Sequence, residues 1–199
     1  MIQICSEVQR RLVELREEPA KRVIYLISGP LGAGKSTVSK ALAGQMEPCV
    51  LLEGDHLLHM FRGSEPSWEE RLSLTWKNIV TITRNYIDHG LNVIIDFVVE
   101  DELEWVYTEL TDGSTEIRYV VLRAHPDQLA ERLKQRGDPD SLTRSLFLLN
   151  VLENSPANQG YLYDTTGKPP EGIAEVIRQD PRFLVRMQPG TPDLGGSKA

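Results

Sequence analysis

The sequence predicts an α/β domain of three layers, in which a five-stranded parallel sheet is flanked by helices. Five short apolar runs alternate with longer segments whose apolar residues recur at helical spacing, and this alternation is typical of parallel sheets built from β-α-β units. The second and third runs are closed by Gly or Asp, as buried parallel strands often are where the chain turns into a functional loop. We therefore expect the functional residues at the carboxyl ends of the strands.

Length and composition are those of one globular domain. A chain of 199 residues, 40% apolar and 26% charged, can bury a core of its own. Its net charge of −7 argues against a nucleic-acid-binding surface, which is usually basic. No apolar run approaches the roughly 18 residues of a membrane span, and residues 1–11 lack the apolar core of a signal peptide. We expect a cytoplasmic protein with no nucleic-acid or membrane partner and with Cys5 and Cys49 reduced.

Both ends of the chain are predicted to lie outside the main domain. Residues 1–20 carry apolar side chains at helical spacing up to Pro19, which predicts an N-terminal helical extension that packs outside the core or forms a dimer contact. Residues 186–199 become small and polar towards their end, which predicts a flexible tail. The domain between them spans residues 21–185, and whether it is a monomer or a homodimer stays open.

Within this domain, strands and helices are predicted from apolar runs, caps and breakers. Ser67 and Glu70 have the spacing of a capping box at the start of a long helix. Residues 137–140 interrupt a helical pattern, and we expect a small lid there, at about residues 136–146. The predicted strands cover residues 22–28, 48–53, 91–98, 117–122 and 161–165. The predicted helices cover residues 36–46, 67–89, 101–110, 126–136, 142–153 and a short segment before Asp180.

A glycine-rich loop follows the first strand. Residues 29–37 read GPLGAGKST and fit the pattern G-x-x-x-x-G-K-[ST] of a phosphate-binding loop. Small residues let backbone N–H groups point at a phosphate, and the following helix adds the positive end of its dipole. A glycine-rich turn with an exposed Lys is the weaker alternative, since a strand precedes the loop and a helix follows it. The residues expected to bind the phosphates of a nucleoside triphosphate are Gly29, Gly32, Ala33, Gly34, Lys35, Ser36 and Thr37.

Three acidic residues near the same edge of the sheet compete for roles. Asp96 ends an apolar strand, where an acid is expected that holds Mg²⁺ together with the Ser36 hydroxyl; the alternative is a cap of the following loop. Asp55 could accept the proton of a substrate hydroxyl and so create the nucleophile that attacks the γ-phosphate. It could also bind the substrate without proton transfer, or form only a structural hydrogen bond. Glu53 points to the other sheet face if the strand alternates, and ranks behind both.

Three arginines surround the predicted lid. Arg136 is the residue we expect to be inserted beside the γ-phosphate when the lid closes, because arginines compensate the charge that accumulates there. Arg132 could stack on the adenine, and Arg144 lies on the helix after the lid. The alternative is that they are solvated helix arginines paired with Glu131 or Asp140.

The segment after Asp55 is expected to bind the phosphate acceptor. His56, His59 and Arg62 follow within eight residues, and Trp76 lies on the next predicted helix. Each of them could equally have only a structural role. The fold of this segment, and with it the acceptor, cannot be derived from the sequence.

Four stretches, GPLGAGKST, LLEGDHLL, VIID and AERLKQRG, occur in an order and spacing that resemble the small-molecule kinases with a phosphate-binding loop. Examples are gluconate, shikimate and adenylylsulfate kinases and chloramphenicol phosphotransferase, and the overall look is nearest to gluconate kinases. The resemblance covers about residues 22–180. It implies a P-loop NTPase fold with strand order 2-3-1-4-5 and a lid, an acceptor-facing acid at Asp55, and nucleotide contacts by Arg132 and Arg136.

Three functions are compatible with these residues. The leading hypothesis is an ATP- and Mg²⁺-dependent kinase that phosphorylates a hydroxyl of a small polar acceptor, such as a sugar acid, a related metabolite or an antibiotic. The second is a nucleoside or nucleotide kinase that uses Arg62 and Arg84 for a phosphate and Trp68 or Trp76 for a base. The third is a nucleotide-binding regulatory ATPase without a small acceptor.

Overall fold

The computed structural model describes residues 21–64 and 66–187. Its centre is a sheet of five parallel strands in the order β2-β3-β1-β4-β5, so the predicted fold class and the strand order implied by the resemblance are confirmed. The strands are β1 (Arg22–Ser28), β2 (Cys49–Glu53), β3 (Asn92–Asp96), β4 (Thr115–Arg123) and β5 (Leu162–Asp164).

Seven α-helices connect or flank the strands within the described residues. Most begin and end within about two residues of the predicted bounds, the scatter usual for helix ends. One helix was not predicted, the short α2 directly after β2. The helices are α1 (Lys35–Gly44), α2 (Gly54–Leu58), α3 (Trp68–Asp88), α4 (Leu103–Leu110), α5 (Pro126–Gln135), α6 (Leu142–Asn154) and α7 (Pro170–Gln179).

The predicted N-terminal extension, residues 1–20, and most of the predicted tail lie outside the described residues. The predictions made for them therefore stay predictions. Within the part of the chain that the structure describes, no helix is both long and apolar enough to cross a membrane.

One face of the sheet is covered by α3 and α4. Side chains alternate along β1, so that Ile24 and Leu26 point to this face, and they share a core with Trp76 of α3 and Val106 of α4. Helix α3 begins with the predicted capping box. The Ser67 hydroxyl accepts a hydrogen bond from the Glu70 N–H at 3.2 Å, and the Glu70 carboxylate accepts one from the Ser67 N–H at 3.0 Å.

The other face is covered by α1, α5 and α7. Tyr25 and Ile27 of β1 point to it and share a second core with Leu42 of α1, Leu129 of α5 and Ile177 of α7. Both faces of β1 are thus buried, which explains why its sequence is apolar throughout instead of alternating.

The parallel strands bring their carboxyl ends to one edge of the sheet. Asp96 at the end of β3 is aligned with Ile27 near the end of β1 and with Glu53 at the end of β2. Helix α2 begins directly after Glu53, and its first residue, Gly54, packs against the ring of Phe97. The acidic residues singled out from the sequence therefore meet at the edge from which the glycine-rich loop leaves β1.

Substitution of Gly54 tests this packing. A Cβ atom at this position would lie 2.5 Å from Cγ of Phe97, so we expect Gly54→Ala to lower the free energy of unfolding by about 1–3 kcal/mol, as overpacking does. The matched control is Gly44→Ala in α1, where an added Cβ meets nothing within 4 Å. This control should be neutral or stabilising by up to about 1 kcal/mol. Urea unfolding followed by circular dichroism measures both, and equal effects of the two changes would contradict the packing argument.

Candidate active site

The glycine-rich loop connects β1 to α1 in a conformation that only glycine adopts easily. Gly29, Gly32 and Gly34 all have positive φ angles, of 142°, 79° and 98°. At Gly29 an added Cβ would lie 2.4 Å from the carbonyl oxygen of Leu122 in β4. The loop therefore lies against the neighbouring strand as closely as its backbone allows.

Side chains from three different elements hold the carbonyl oxygens of this loop. Arg132 of α5 donates through Nη1 to the oxygens of Gly32 and Ala33, at 3.1 and 3.3 Å. The Thr165 hydroxyl, just after β5, donates to the Ala33 oxygen at 3.2 Å. The Ser145 hydroxyl of α6 donates to the oxygen of Leu31 at 2.7 Å. The loop conformation is thus fixed from outside as well as by its glycines.

Lys35 lies at the start of α1 and is tied back to the loop. Its Nζ donates to the carbonyl oxygens of Gly29 and Pro30, at 2.9 and 3.3 Å. Burial lowers the pKa of the Lys35 ammonium, the carboxylates of Asp96 and Asp55 oppose this shift, and the guanidinium of Arg136 adds to it. The charges of these three groups are thus close enough to act on Lys35.

Asp96 is the buried acid of this edge, with 5% of its surface exposed. Burial raises the pKa of its carboxyl. The Lys35 ammonium and a hydrogen bond with the Ser36 hydroxyl oppose the shift, and the carboxylates of Asp55 and Glu53 add to it. A carboxylate and a hydroxyl beside each other form the hard oxygen donor set that Mg²⁺ prefers.

Asp55 and Glu53 have different surroundings although they are only two residues apart in the sequence. Asp55 is exposed in the first turn of α2, and its charge acts on both Lys35 and Asp96. The Glu53 carboxylate lies 3.7 Å from Nζ of Lys40 and 4.0 Å from Nε2 of His56. Glu53 therefore has ion-pair partners of its own, while its lower rank behind Asp55 and Asp96 stays a prediction.

A cavity of about 390 Å³ lies beside the loop. The two arginines expected to contact a nucleotide, Arg132 and Arg136, both line it. Nη1 of Arg132 binds the loop carbonyls, a role that the sequence did not suggest, and its stacking on an adenine stays a prediction. The sequence analysis also missed Thr165 and Lys168, although the stretch Thr-Thr-Gly-Lys directly after a strand was a usable signal. The full lining is Gly32, Ala33, Gly34, Thr37, Val38, Arg132, Gln135, Arg136, Thr165, Lys168, Pro170 and Ile173.

A second cavity, of about 720 Å³, lies between α3, the loop after β3 and α6. Trp76 lines it but is itself 2% exposed, and its ring packs edge-on against Phe97 with centroids 5.2 Å apart. Trp76 is thus a core residue at the wall of a cavity. The remaining lining is Trp68, Glu69, Leu72, Ser73, Lys77, Glu100, Asp101, Glu102, Trp105, Arg144 and Phe147.

Arg144 belongs to this second cavity. Its guanidinium lies 3.3 Å from the Glu100 carboxylate and 5.3 Å from the centre of the Phe147 ring. The sequence analysis considered Glu131 and Asp140 as ion-pair partners for the lid arginines, whereas the structure pairs Arg144 with Glu100. The two residues are separated by 44 positions, so local sequence could not reveal the contact.

The other residues expected to bind the acceptor are not brought to either cavity. His56 and His59 are exposed, and Arg62 donates through Nη1 to the carbonyl oxygens of His59 and Phe61, at 3.2 and 2.9 Å. None of the three lines the cavities described above, and neither does Asp55, which lies near Lys35 and Asp96 instead. That they bind the acceptor stays a prediction to which the geometry adds no support. Trp76, by contrast, lies at the wall of the second cavity.

The chain was compared with known proteins. A family model described as an AAA domain matches residues 26–157. A protein of Thermococcus onnurineus (strain NA1) named "Putative adenylate kinase" is 30% identical over 168 residues, which cover 78% of this chain and 82% of that protein. Among solved structures, the Deinococcus radiodurans tunicamycin resistance protein has a TM-score of 0.58 at 21% identity and covers 83% of this chain and 99% of its own. A gluconokinase from Sinorhizobium meliloti 1021 has a TM-score of 0.54 at 17% identity, over 79% of this chain and 90% of its own. At these identities the two structures support the fold alone.

The hydrogen bonds of Arg132 give a first test of the site. Arg132→Ala removes the Nη1 group that bonds both loop carbonyls. We therefore expect the loop to lose its fixed shape and ATP to bind about tenfold more weakly or worse, the cost of one to two charge-assisted hydrogen bonds. Lys134→Ala, an exposed position on the same helix, is the control and should leave the affinity unchanged. Isothermal titration with ATP and Mg²⁺ measures both, and equal affinities for Arg132→Ala and the parent protein would exclude this role.

Proposed function

We propose that this chain, which belongs to the AAA domain family of P-loop proteins, is a kinase that transfers the γ-phosphoryl group of ATP to a hydroxyl of a small molecule. One observation carries the proposal. The phosphate loop with Lys35, the buried Asp96 and the exposed Asp55 meet at one edge of the sheet, close enough for their charges to act on one another. A binding switch needs the first two features, whereas transfer to an acceptor also needs an accessible base beside them.

The donor side is built for a polyanion. The loop presents the amino end of α1, and burial lowers the pKa of the Lys35 ammonium. A triphosphate would supply the negative charge that this ammonium lacks. Its base and ribose would then occupy the cavity beside Arg132 and Thr165.

Ser36 and Asp96 are the residues that would hold Mg²⁺. Within residues 21–64 and 66–187 no cluster of three or more His, Cys, Asp or Glu side chains could hold a metal by itself. A hydroxyl with one carboxylate fits Mg²⁺ nevertheless, because this ion is usually bound by one or two carboxylates together with phosphate oxygens and water. When bound, it neutralises charge on the β- and γ-phosphate oxygens.

Asp55 is the proposed base. Its exposed carboxylate would accept the proton of the acceptor hydroxyl while the hydroxyl oxygen attacks the γ-phosphorus. The bond from the γ-phosphorus to the bridging oxygen breaks, and ADP and a phosphorylated acceptor result. Arg136 caps the carboxyl end of α5 where the predicted lid starts, and its charge already reaches Lys35. It would compensate the charge of the transferred group.

A second candidate acceptor is a nucleoside monophosphate. The relative from Thermococcus onnurineus carries the name of an adenylate kinase, and such an acceptor would also be phosphorylated at this edge. ADP formation with AMP as the acceptor, compared with ADP formation with hydroxyl-bearing small molecules, separates the two candidates.

Two substitutions separate donor binding from transfer. Lys35→Ala should weaken ATP binding or abolish turnover, because the triphosphate loses its closest cation. Asp55→Asn should keep ATP affinity within about twofold and lower the transfer rate by about 100-fold or more, the range of a lost general base. Asp88→Asn, an exposed acid at the end of α3, is the matched control and should change neither.

The measurements are nucleotide titration for affinity and coupled detection of ADP for transfer, with sugars, sugar acids, nucleosides, nucleoside monophosphates and aminoglycosides as acceptors. Full transfer by Asp55→Asn would exclude Asp55 as the base. An ATP turnover that no acceptor stimulates would favour the regulatory ATPase. Unchanged turnover by Arg136→Ala would remove Arg136 from the lid role.

A further inference from the structure

The second cavity is lined by several aromatic side chains. All three tryptophans of the chain, Trp68, Trp76 and Trp105, line it together with Phe147. Trp68, Trp105 and Phe147 are 45%, 38% and 54% exposed, although large aromatic side chains are normally withdrawn from water. Trp76 is buried, and the three exposed aromatic side chains around the opening form a surface on which a planar ring can stack.

The cavity is connected to the proposed transfer site through a short series of packed residues. Trp76 packs against Phe97, which directly follows Asp96, and Phe97 in turn contacts Gly54, which directly precedes Asp55. On the opposite wall, Arg144 is followed by Ser145, which binds the phosphate loop. Asp55 and the phosphate loop do not line the cavity themselves, but residues that pack against or directly follow its wall contact Gly54 and Leu31 beside them.

The charge of the cavity wall is negative. Glu69, Glu100, Asp101 and Glu102 line it, against Lys77 and Arg144, and Arg144 is already paired with Glu100. The Glu102 carboxylate accepts hydrogen bonds from the backbone N–H groups of Glu100 and Asp101. A phosphate dianion would meet this excess of negative charge, whereas hydroxyl groups and cations would find hydrogen-bond acceptors.

We infer that the acceptor is an uncharged or cationic molecule of the nucleoside class, with an aromatic ring that stacks on Trp105 and Phe147 and a hydroxyl that receives the phosphoryl group. The inference rests on the proposed kinase function and names its substrate class. It favours nucleosides over their monophosphates, because the phosphate is negatively charged like the cavity wall. It also favours them over sugar acids, which are negatively charged and have no aromatic ring to stack. The volume of about 720 Å³ lies in the range of sites that hold a whole small molecule.

Ligand binding in the second cavity can be measured by tryptophan fluorescence. Because all of them line this cavity, quenching of intrinsic fluorescence reports its occupation and requires no turnover. The probes are adenosine and uridine, their 5′-monophosphates, and gluconate, each added to the full chain saturated with ADP and Mg²⁺. We expect a nucleoside to quench the fluorescence and its monophosphate to bind about tenfold more weakly or worse, because like charges repel.

Variants separate stacking from charge. Phe147→Ala keeps all three tryptophans and should weaken nucleoside binding about five- to a hundredfold, the range that loss of one base–aromatic stack produces. Tyr86→Ala is the control, since Tyr86 is as exposed as Trp105 but lies outside the cavity. Asp101→Asn removes a negative charge from the cavity wall and should narrow the difference in affinity between nucleoside and monophosphate. Asp88→Asn removes a negative charge outside the cavity and should leave this difference unchanged.

The outcomes distinguish the inferred nucleoside acceptor from the proposed kinase function. Tighter binding of a monophosphate or of gluconate than of both nucleosides, no quenching by any nucleoside, or equal losses in Phe147→Ala and Tyr86→Ala would overturn the inference. ADP formation with gluconate but without quenching would leave the kinase proposal standing and overturn the nucleoside class. Quenching by nucleosides without any Lys35-dependent ADP formation would instead overturn the kinase proposal.

Discussion

The structure depends on how an irregular loop is held at the end of a buried strand. Residues 29–33 lie between β1 and α1, outside the regular hydrogen bonds of sheet and helix, yet backbone oxygens beside a core need partners. Arg132, Thr165, Ser145 and Lys35 supply them from four separate places in the chain. Helices α5 and α6 and the loop after β5 must therefore converge on the carboxyl end of β1. This convergence leaves a cavity on the side of Arg132, which is the proposed nucleotide site.

Burial shifts the pKa values of two neighbouring groups at this edge. Burial disfavours the charged forms of both Lys35 and Asp96, and their mutual attraction opposes the shift in each case without removing it. Asp55 adds a like charge to Asp96, and Arg136 adds one to Lys35. A triphosphate beside Lys35 would favour the charged form of its ammonium, and a divalent cation beside Asp96 would favour that of its carboxylate. Perturbed carboxyl and ammonium groups of this kind mark sites where ligands complete the electrostatics.

The sequence was sufficient for features that are local or that follow from strand order. The phosphate loop, the capping box at Ser67 and the acid at the end of β3 each depend on residues within one segment, and the parallel sheet brings such strand ends to one edge. The acceptor side was not predictable in this way. Arg144 meets Glu100 across 44 positions, and Trp76 lines a cavity only because α3 packs over Phe97. His56 was chosen for its nearness to Asp55 in sequence, but its described ion-pair partner is Glu53.

Helix α6 joins the two halves of the site. Neighbouring residues on an α-helix point about 100° apart, so Ser145 can bind the phosphate loop while Arg144 reaches the wall of the second cavity. Ser145 holds Leu31 at 2.7 Å and Arg144 holds Glu100 at 3.3 Å. Glu100 lies four residues after Asp96, and the N–H of Val99 between them donates to the hydroxyl of Ser28 at the end of β1. The loop after β3, the phosphate loop and α6 therefore form a closed ring of contacts. A displacement of α6 that broke the hydrogen bond of Ser145 to the phosphate loop would also pull Arg144 away from Glu100 at the wall of the second cavity. The phosphate loop and the second cavity are therefore supported by the same helix.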